Sequence, residues 1–281
     1  MNAQLVPARP GLRRLAWTAL AAAAWLAAPI ASAHSPWIMP SGVNWSGQQA
    51  WVTVDGAVSE ELFAIEHQAL KLDAMQVTGP GGKVLTLPAV TTTRQRSSVD
   101  LNLQESGTYV LSLVQQGFGA MWTQDGQPRR WRGTSAEWQD KGRLQVPEAA
   151  LASLKLVSSR SRLESFVTLN RPSALPPVQG TGLEMRADTP LTDLVQGDAT
   201  VLRFMLDGVP ARQLQVTLKW GGQRFGAPAR ELLLKTDERG EVKVLWPAAG
   251  VLRLSVQAER EVSAGQLQRD SYVATLDVAR P

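Results

Sequence analysis

Apolar and polar residues alternate with a period of two along most of the chain, which is the pattern of half-buried β-strands. In the first half, this pattern predicts strands at residues 50–55, 99–103, 108–114 and 162–169. Segments rich in glycine or small polar residues, at 78–83 and 105–107, predict turns between them. A helix of one or two turns is predicted for residues 134–141, with Thr134 as its N-cap.

The alternation stops at residues 170–180, which read NRPSALPPVQG and are expected to form a proline-rich linker. Short strands then return at 199–206, 213–220, 231–235, 241–246, 251–257 and 271–278. Several short strands in about 100 residues are typical of an immunoglobulin-like β-sandwich. We therefore expect an all-β protein with two β-rich domains, residues 34–169 and residues 181–281, the second one an immunoglobulin-like sandwich.

The first 33 residues have the features of a secretory signal peptide. Arg9, Arg13 and Arg14 precede an apolar run that extends from Leu15 to Ile30, and Ala-Ser-Ala follows at residues 31–33. The run is shorter than the roughly 20 residues of a membrane-spanning helix. We expect export to the periplasm and cleavage after Ala33, by the general route or, given the arginine pair, the twin-arginine route.

Removal of the leader changes the charge balance and leaves a chain of ordinary two-domain size. Of 281 residues, 248 remain after the first 33 are removed, and they carry 26 basic and 25 acidic residues. A net charge of +1 gives no reason to expect a nucleic-acid partner. The chain has no cysteine, which excludes disulfides, thiolate nucleophiles and cysteine-ligated metal clusters.

The two histidines of the chain, His34 and His67, are the residues best suited to bind a metal. Cleavage after Ala33 would make His34 the first residue, so that its α-amine and imidazole could chelate one ion. Pro36 has no amide proton, so chelation by successive backbone amides stops early. His67 would complete a histidine brace of three nitrogen ligands, a set that suits Cu(II) and Ni(II), with Co and Fe as further candidates.

Two carboxylates near His67 are candidates for a fourth metal ligand. Glu66 precedes His67, and Asp73 follows six residues later. The alternatives are that His67 is an ordinary surface residue and that the chain start is disordered. We predict one transition-metal ion, held by His34 and His67 with Asp73 or Glu66.

A basic segment, RRWRG, is a second candidate contact site. Arg129, Arg130 and Arg132 flank Trp131 and could hold an anionic ligand or partner through bidentate contacts. The favoured alternative is a surface network of salt bridges with Glu137 and Asp140.

Other residues with chemical potential are expected to be structural. Arg162 and Glu164 share one face of a strand and are expected to pair with neighbours. Trp51, Trp220 and Trp246 are expected in the core. The sequence contains no nucleophile elbow, phosphate loop or dinucleotide fingerprint, and we predict no catalytic residue.

Several stretches together resemble one family: residues 33–41, 59–82, 129–133, 161–168, 193–211, 236–250 and 271–278. It is the bacterial family of unknown function numbered 4198, which is similar to the extracytoplasmic component of nickel and cobalt uptake systems. The resemblance implies a periplasmic β-rich protein linked to metal acquisition, and relatives carry a similar His and Asp in the region of His67. Relatives often carry aromatic residues after the glycine that matches Gly250, whereas this chain reads VLRLSV.

The leading hypothesis is a non-enzymatic metal-binding or accessory protein of a transition-metal uptake system. Its expected partner is a membrane metal transporter or an outer-membrane receptor. One alternative is a copper-dependent oxidative enzyme that uses an N-terminal histidine brace. The other alternative is a structural or adhesive module of the periplasm.

Overall fold

The alternating segments form the strands of three sheets in a computed structural model that describes residues 35–281. The strands before the linker are β1 (Ser35–Pro40), β2 (Asn44–Trp45), β3 (Ala50–Ser59), β4 (Gln68–Ala69), β5 (Gln76–Thr78), β6 (Val84–Leu85), β7 (Thr91–Thr92), β8 (Ser97–Leu103), β9 (Gly107–Gln124), β10 (Gln127–Gly133) and β11 (Lys155–Leu169). Those after it are β12 (Leu183–Ala187), β13 (Ala199–Leu206), β14 (Val209–Pro210), β15 (Gln215–Trp220), β16 (Glu231–Lys235), β17 (Glu241–Leu245), β18 (Gly250–Ser263) and β19 (Gln266–Val278).

The helical segments between these strands are short. The α-helix α1 spans Ser135–Glu137 and continues as a π turn, Trp138–Gly142, and a 3₁₀ turn, Arg143–Gln145. Thr134 caps α1 through a reciprocal contact with Glu137, so the predicted helix and its cap are confirmed. The other 3₁₀ segments are Pro80–Gly82, Glu148–Ser153 and Gln223–Phe225. None of the helices within residues 35–281 has the length and hydropathy that a membrane span requires.

The strands form sheets of five, ten and four members, called sheets A, B and C. Sheet A has the order β1-β3-β8-β7, with β4 also paired to β3. Sheet B has the order β16-β15-β18-β19-β11-β9-β5-β6, and it also holds β10 and β2. Sheet C contains β12, β13, β14 and β17. The predicted all-β, sandwich-like fold is confirmed.

Sheet B is central because its two faces contribute to two different cores. Along β11, Leu163 and Val167 belong to a core shared with sheet A, whereas Phe166 belongs to a core shared with sheet C. Neighbouring residues of a strand point to opposite faces, so one strand serves both cores. The two cores fall mainly on either side of the linker.

The two cores fall mainly on either side of the linker, but sheet B contains strands from both sides of it. Strand β11, before the linker, pairs in parallel with β19, after it, from Leu156 opposite Gln266 to Ser165 opposite Thr275. Residues 35–281 accordingly belong to a single compact unit. The division into two domains at residues 170–180 stays a prediction, since the cores follow it and the strand pairing crosses it.

One of the three tryptophans expected in the core lies outside it. Trp220 and Trp246 are buried, as predicted, but 61% of the Trp51 surface is exposed. Trp51 lies between Ala50 and Val52, which face the core, and the period of two therefore directs its side chain to solvent. The expectation for Trp51 was wrong because the position of a residue in the alternation, and not its apolar character, decides which face of the strand its side chain occupies.

Candidate functional site

Two strands meet β3 from opposite sides at the same end of sheet A. On one side, β1 pairs with β3 so that Ser35 lies opposite Ser59. On the other side, β4 pairs with β3 so that Gln68 lies opposite Val58. The start of β1 and the start of β4 therefore converge at the end of β3. The residues that precede these two starts are the two histidines of the chain.

The first of these histidines, His34, lies outside the described residues, as do the predicted signal peptide and its cleavage site. His67 is described, and its side chain is exposed. It contributes to an open cleft whose walls are residues 65–67 and 93–96. Gln95 closes one side of this cleft, because its side-chain amide donates to the backbone carbonyl of Glu66 at 3.1 Å.

Glu66 has a structural role in the loop that leads to His67. One carboxylate oxygen, Oε1, accepts hydrogen bonds from the backbone N–H groups of Glu60 and Glu61, at 2.9 and 2.7 Å. These contacts hold the turn that follows β3. The second oxygen, Oε2, takes part in neither of these hydrogen bonds and is a candidate ligand for an ion.

Asp73 lies in a turn that follows β4, away from the end of β3 at Ser59. Its neighbour Leu72 packs over Gly56, where an added Cβ would come within 2.7 Å of the leucine. Gly56 is three residues from Ser59 along β3, or roughly 10 Å in an extended strand. The fold thus brings Ser35 and His67 towards one point and carries Asp73 away from it.

No three side chains of the His, Asp and Glu types converge as a possible metal site within residues 35–281. The predicted brace draws two of its three nitrogens, the amine and the imidazole of His34, from outside that range. The metal assignment of His34, His67, Asp73 and Glu66 stays a prediction.

The loop between β3 and β4 is also anchored to the C-terminal half of the chain. Phe63 has a left-handed backbone, with φ of 65°, and its ring meets Trp37 edge to face at 5.8 Å. The same ring lies against Gly221, where an added Cβ would be 2.7 Å from it. Glu61 accepts a hydrogen bond from the backbone N–H of Arg224 at 2.5 Å. Sequence reasoning missed this anchor, since no local pattern signals a contact over more than 150 residues.

A buried group of charged residues joins sheet B to the linker. Glu184 accepts hydrogen bonds from the backbone N–H groups of Gln179 and Gly180, both at 2.7 Å. Arg162 lies 3.8 Å from Glu184 and 3.5 Å from Glu164. The expectation that Arg162 and Glu164 pair with neighbours is confirmed. The linker is thus held by hydrogen bonds to buried charged side chains, and the sequence showed only that it lacks periodicity.

Burial shifts the pKa values of two members of this group, Glu164 and Tyr272. Tyr272, which is fully buried, donates to Glu164 at 2.8 Å. Burial raises the pKa of Glu164, although contacts with Tyr272 and Arg162 oppose the shift. Burial and the adjacent carboxylate raise the pKa of Tyr272. These side chains are enclosed among their own partners, and their arrangement is structural.

A second ionic group lies beside the first and ties three strands to a turn. Arg160 contacts Asp270 at 2.6 Å and Asp207 at 2.8 Å, and Arg260 contacts Asp207 at 2.5 Å. Although desolvation opposes it, hydrogen bonds from Arg160, the Gly182 amide and Arg260 lower the pKa of Asp207. The turn between β13 and β14 is thereby fixed to β11, β18 and β19.

The basic segment RRWRG is part of β10, which within residues 35–281 pairs with β9 and with no other strand. Trp131 packs against Trp138 at 5.2 Å, but Arg129, Arg130 and Arg132 are exposed and form no ion pair within residues 35–281. The favoured salt-bridge network was therefore wrong. Glu137 is occupied by its cap contacts with Thr134, at 2.7 and 3.0 Å. Asp140 pairs with Lys141, at 3.8 Å from the ammonium nitrogen to the carboxylate oxygen, and not with an arginine of β10.

Comparison with known protein families finds a match over residues 31–260, to a domain of unknown function, DUF4198. The chain belongs to the DUF4198 family. No curated protein sequence matches the chain.

The solved structures that match this chain are remote from it. A DUF4785 family protein from Legionella pneumophila is 10% identical with a TM-score of 0.25, and the match covers 88% of this chain and 57% of that one. The D0–D1 domain of intimin is 13% identical, with a TM-score of 0.21 and coverages of 85% and 97%. A Ca²⁺-stabilised ice-binding adhesin of an Antarctic bacterium is 11% identical, with a TM-score of 0.24 and coverages of 87% and 74%.

Proposed function

We propose that this DUF4198 protein is an exported metal-binding protein that serves transition-metal uptake and holds one Cu(II) or Ni(II) ion through His34 and His67. The observation that carries the proposal is the strand pairing at the end of sheet A. Ser35 lies opposite Ser59, and the strand that begins after His67 lies on the other side of β3.

The distances across these strands suit a shared ion. Opposite Cα atoms of antiparallel strands are about 4.5–5.5 Å apart, so β1 and β4 are separated by roughly 10 Å. A peptide bond keeps residue 34 about 3.8 Å from Ser35, Cα to Cα. Each imidazole nitrogen reaches several ångströms from its own Cα. Two histidines in these positions therefore have the reach to bind one ion between them.

The ligand types support a nitrogen-rich site. The described carboxylates near His67 are either occupied, as one oxygen of Glu66 is, or carried away from it, as Asp73 is. An amine and two imidazoles form a set that suits Cu(II) and Ni(II). Glu66 Oε2 and Asp73 are kept as the candidates for a fourth ligand.

A binding role is preferred to an oxidative one because of where the tyrosines lie. The chain has two tyrosines, Tyr109 and Tyr272, and both are buried. The Tyr109 hydroxyl bonds the backbone of Glu105 at 2.9 Å, and Tyr272 bonds Glu164. Neither phenol is available to a metal at the end of sheet A.

The proposed partner is a membrane metal transporter or an outer-membrane receptor.

The test is a metal titration of protein purified from the periplasm of an expressing host, after its mass has shown whether it begins at His34. We expect one Cu(II) or Ni(II) per chain, and about tenfold or greater loss of affinity in His67→Ala. Gln68→Ala, the exposed next residue, is the matched control and should bind as the wild type does. A wild-type protein that begins at His34 and binds neither ion would refute the proposal.

A further inference from the structure

The hairpin of β9 and β10 ends sheet B with an unpaired edge. Strand β10 pairs with β9 from Gln127 opposite Gln124 to Gly133 opposite Phe118, and no other strand in residues 35–281 pairs with it. An unpaired edge presents backbone N–H and C=O groups that can accept another strand. Natural edges are often blocked by a covering loop. Here the helical segment after β10 packs against the face of the sheet at Trp131, and Arg130 and Arg132 on the edge strand are exposed.

The turn of the hairpin determines which residues of β10 offer these groups. Asp125 and Gly126 have φ of 53° and 72°, as in the two-residue turns that place a hydrogen-bonded pair directly beside the loop. The backbone N–H and C=O groups of Gln127 therefore bond to β9. The backbone groups of the alternate residues 128, 130 and 132 point away from β9, towards the open edge. Pro128 agrees, since a proline fits a strand where its nitrogen faces away from the ladder. Arg130 and Arg132 consequently present their backbone to the open edge.

The side chains of Arg130 and Arg132 add positive charge to the same edge. They share one face of the sheet because they are two residues apart. Lys155 is on the same face, because Arg130 and Lys155 lie on either side of Met121 in neighbouring strands and are both directly opposite it. All three side chains are exposed. None of them forms an ion pair with any residue of the range 35–281.

A rigid support holds this edge in place. Ala120, Trp122, Trp138, Val146 and Ala150 form a separate buried cluster behind the hairpin, and Phe118 and Trp131 pack on it. Gly133 and Gly142 let the Trp131 ring lie close, because an added Cβ at either position would be about 2.8 Å from it. The edge is thus preorganised, which reduces the entropic cost of binding.

We propose that the outer edge of β10 binds an extended acidic segment of a partner protein, which adds to sheet B as a further strand. The backbone of Arg130 and Arg132 hydrogen-bonds the added strand, and their side chains contact carboxylates at alternate positions of it. A flat anionic membrane fits less well, because Arg129 points to the opposite face from Arg130 and Arg132. The proposal is independent of metal binding.

The test uses the exported protein and a dye-labelled octapeptide of alternating Glu and Val with blocked termini. We expect saturable binding that falls about tenfold or more in the double variant R130E/R132E. The double variant K141E/R143E makes the same change of net charge on the neighbouring helical turns, and it should lose less than about twofold. In NMR spectra, the peptide should shift the amide signals of Arg130 and Arg132 and should slow their hydrogen exchange.

A second peptide tests the backbone contacts. The same octapeptide with methylated nitrogens at alternate positions cannot complete a strand ladder, and it should bind at least about tenfold more weakly. Three results would overturn the proposal: no saturable binding by the wild type, equal loss in both double variants, or binding of phosphatidylglycerol vesicles without binding of the peptide. Concentration-dependent dimers that R130E/R132E abolishes would also overturn it, since the occupant would be a second copy of the chain.

Discussion

The buried charges that hold the linker and the exposed side chains around His67 are two polar regions of opposite character. In the first region, Arg162 and Glu184 are nearly inaccessible and have partners in the same chain. In the second, His67 is exposed beside an open cleft at the point where two strands converge. Polar groups that are enclosed by their own partners stabilise the fold, whereas exposed groups at converging strand ends can bind something from outside.

The largest effect on stability should come from the buried region. Glu184→Ala would leave Arg162 with less compensation and two backbone N–H groups without their acceptor, so we expect a loss of about 3–5 kcal/mol in the free energy of unfolding. Glu184→Gln keeps one acceptor oxygen and should lose less. Chemical denaturation measures both. Equal stability of Glu184→Ala and the wild type would show that the linker is not held by these contacts.

A smaller, pH-dependent effect should come from Asp207. Its carboxylate is bonded by Arg160 and Arg260, so its pKa in the folded state is lower than in the unfolded state. The stability that it contributes is therefore present above its unfolded pKa, near 3.8, and is lost as pH falls below that value. We expect Asp207→Asn to lower the free energy of unfolding by about 1–3 kcal/mol at pH 7, because the wild-type carboxylate is charged there and accepts hydrogen bonds from both arginines.

The pH dependence of the stability difference between wild type and Asp207→Asn shows whether the charge of the carboxylate is responsible. The difference in unfolding free energy between wild type and Asp207→Asn should shrink steadily between about pH 4 and pH 2, as the wild-type carboxylate takes up a proton. A difference that is constant with pH would mean that the side chain acts by packing alone.

The smallest effect on stability should come from His67→Ala. The side chain is exposed, and surface substitutions usually change stability by less than about 0.5 kcal/mol. Thermal unfolding without added metal measures this, with Gln68→Ala as the control. With a saturating transition-metal ion, the wild type should gain stability and His67→Ala should gain much less. A large loss in the metal-free variant would place His67 among the structural residues instead.

Local features of the fold were open to prediction from the sequence, and long-range ones were not. The strand at 199–206 and the cap at Thr134 follow from short patterns, and the structure has both at the predicted positions. The parallel pairing of β11 with β19 joins residues about 110 apart, and no local signal specifies it. The proline-rich linker predicts two domains; the cores follow that division, and the strands on either side of the linker share sheet B.

The candidate site was predictable as a pair of residues and not as a geometry. Scarcity identified His34 and His67, because the chain has two histidines and one follows the expected cleavage site. The strand register decides which neighbouring side chains lie near His67, and short sequence patterns do not specify it. Asp73 follows Leu72, which packs on Gly56, and one oxygen of Glu66 binds the turn after β3. The arginines of β10 were likewise assigned to carboxylates that prove to have other partners.

The central claim is that His34, as the first residue after cleavage, and His67 bind one metal ion together. It is tested most directly at the α-amine of His34. Two proteins should be titrated with Cu(II) and Ni(II): one that begins at His34, and one with a single alanine before His34. The extension moves the amine away from the imidazole and leaves both histidines in place. We predict that the extended protein binds the metal at least about tenfold more weakly, and that binding by the native protein weakens as the pH is lowered, because protons compete for the nitrogen ligands. Equal affinity of the two proteins would contradict the account.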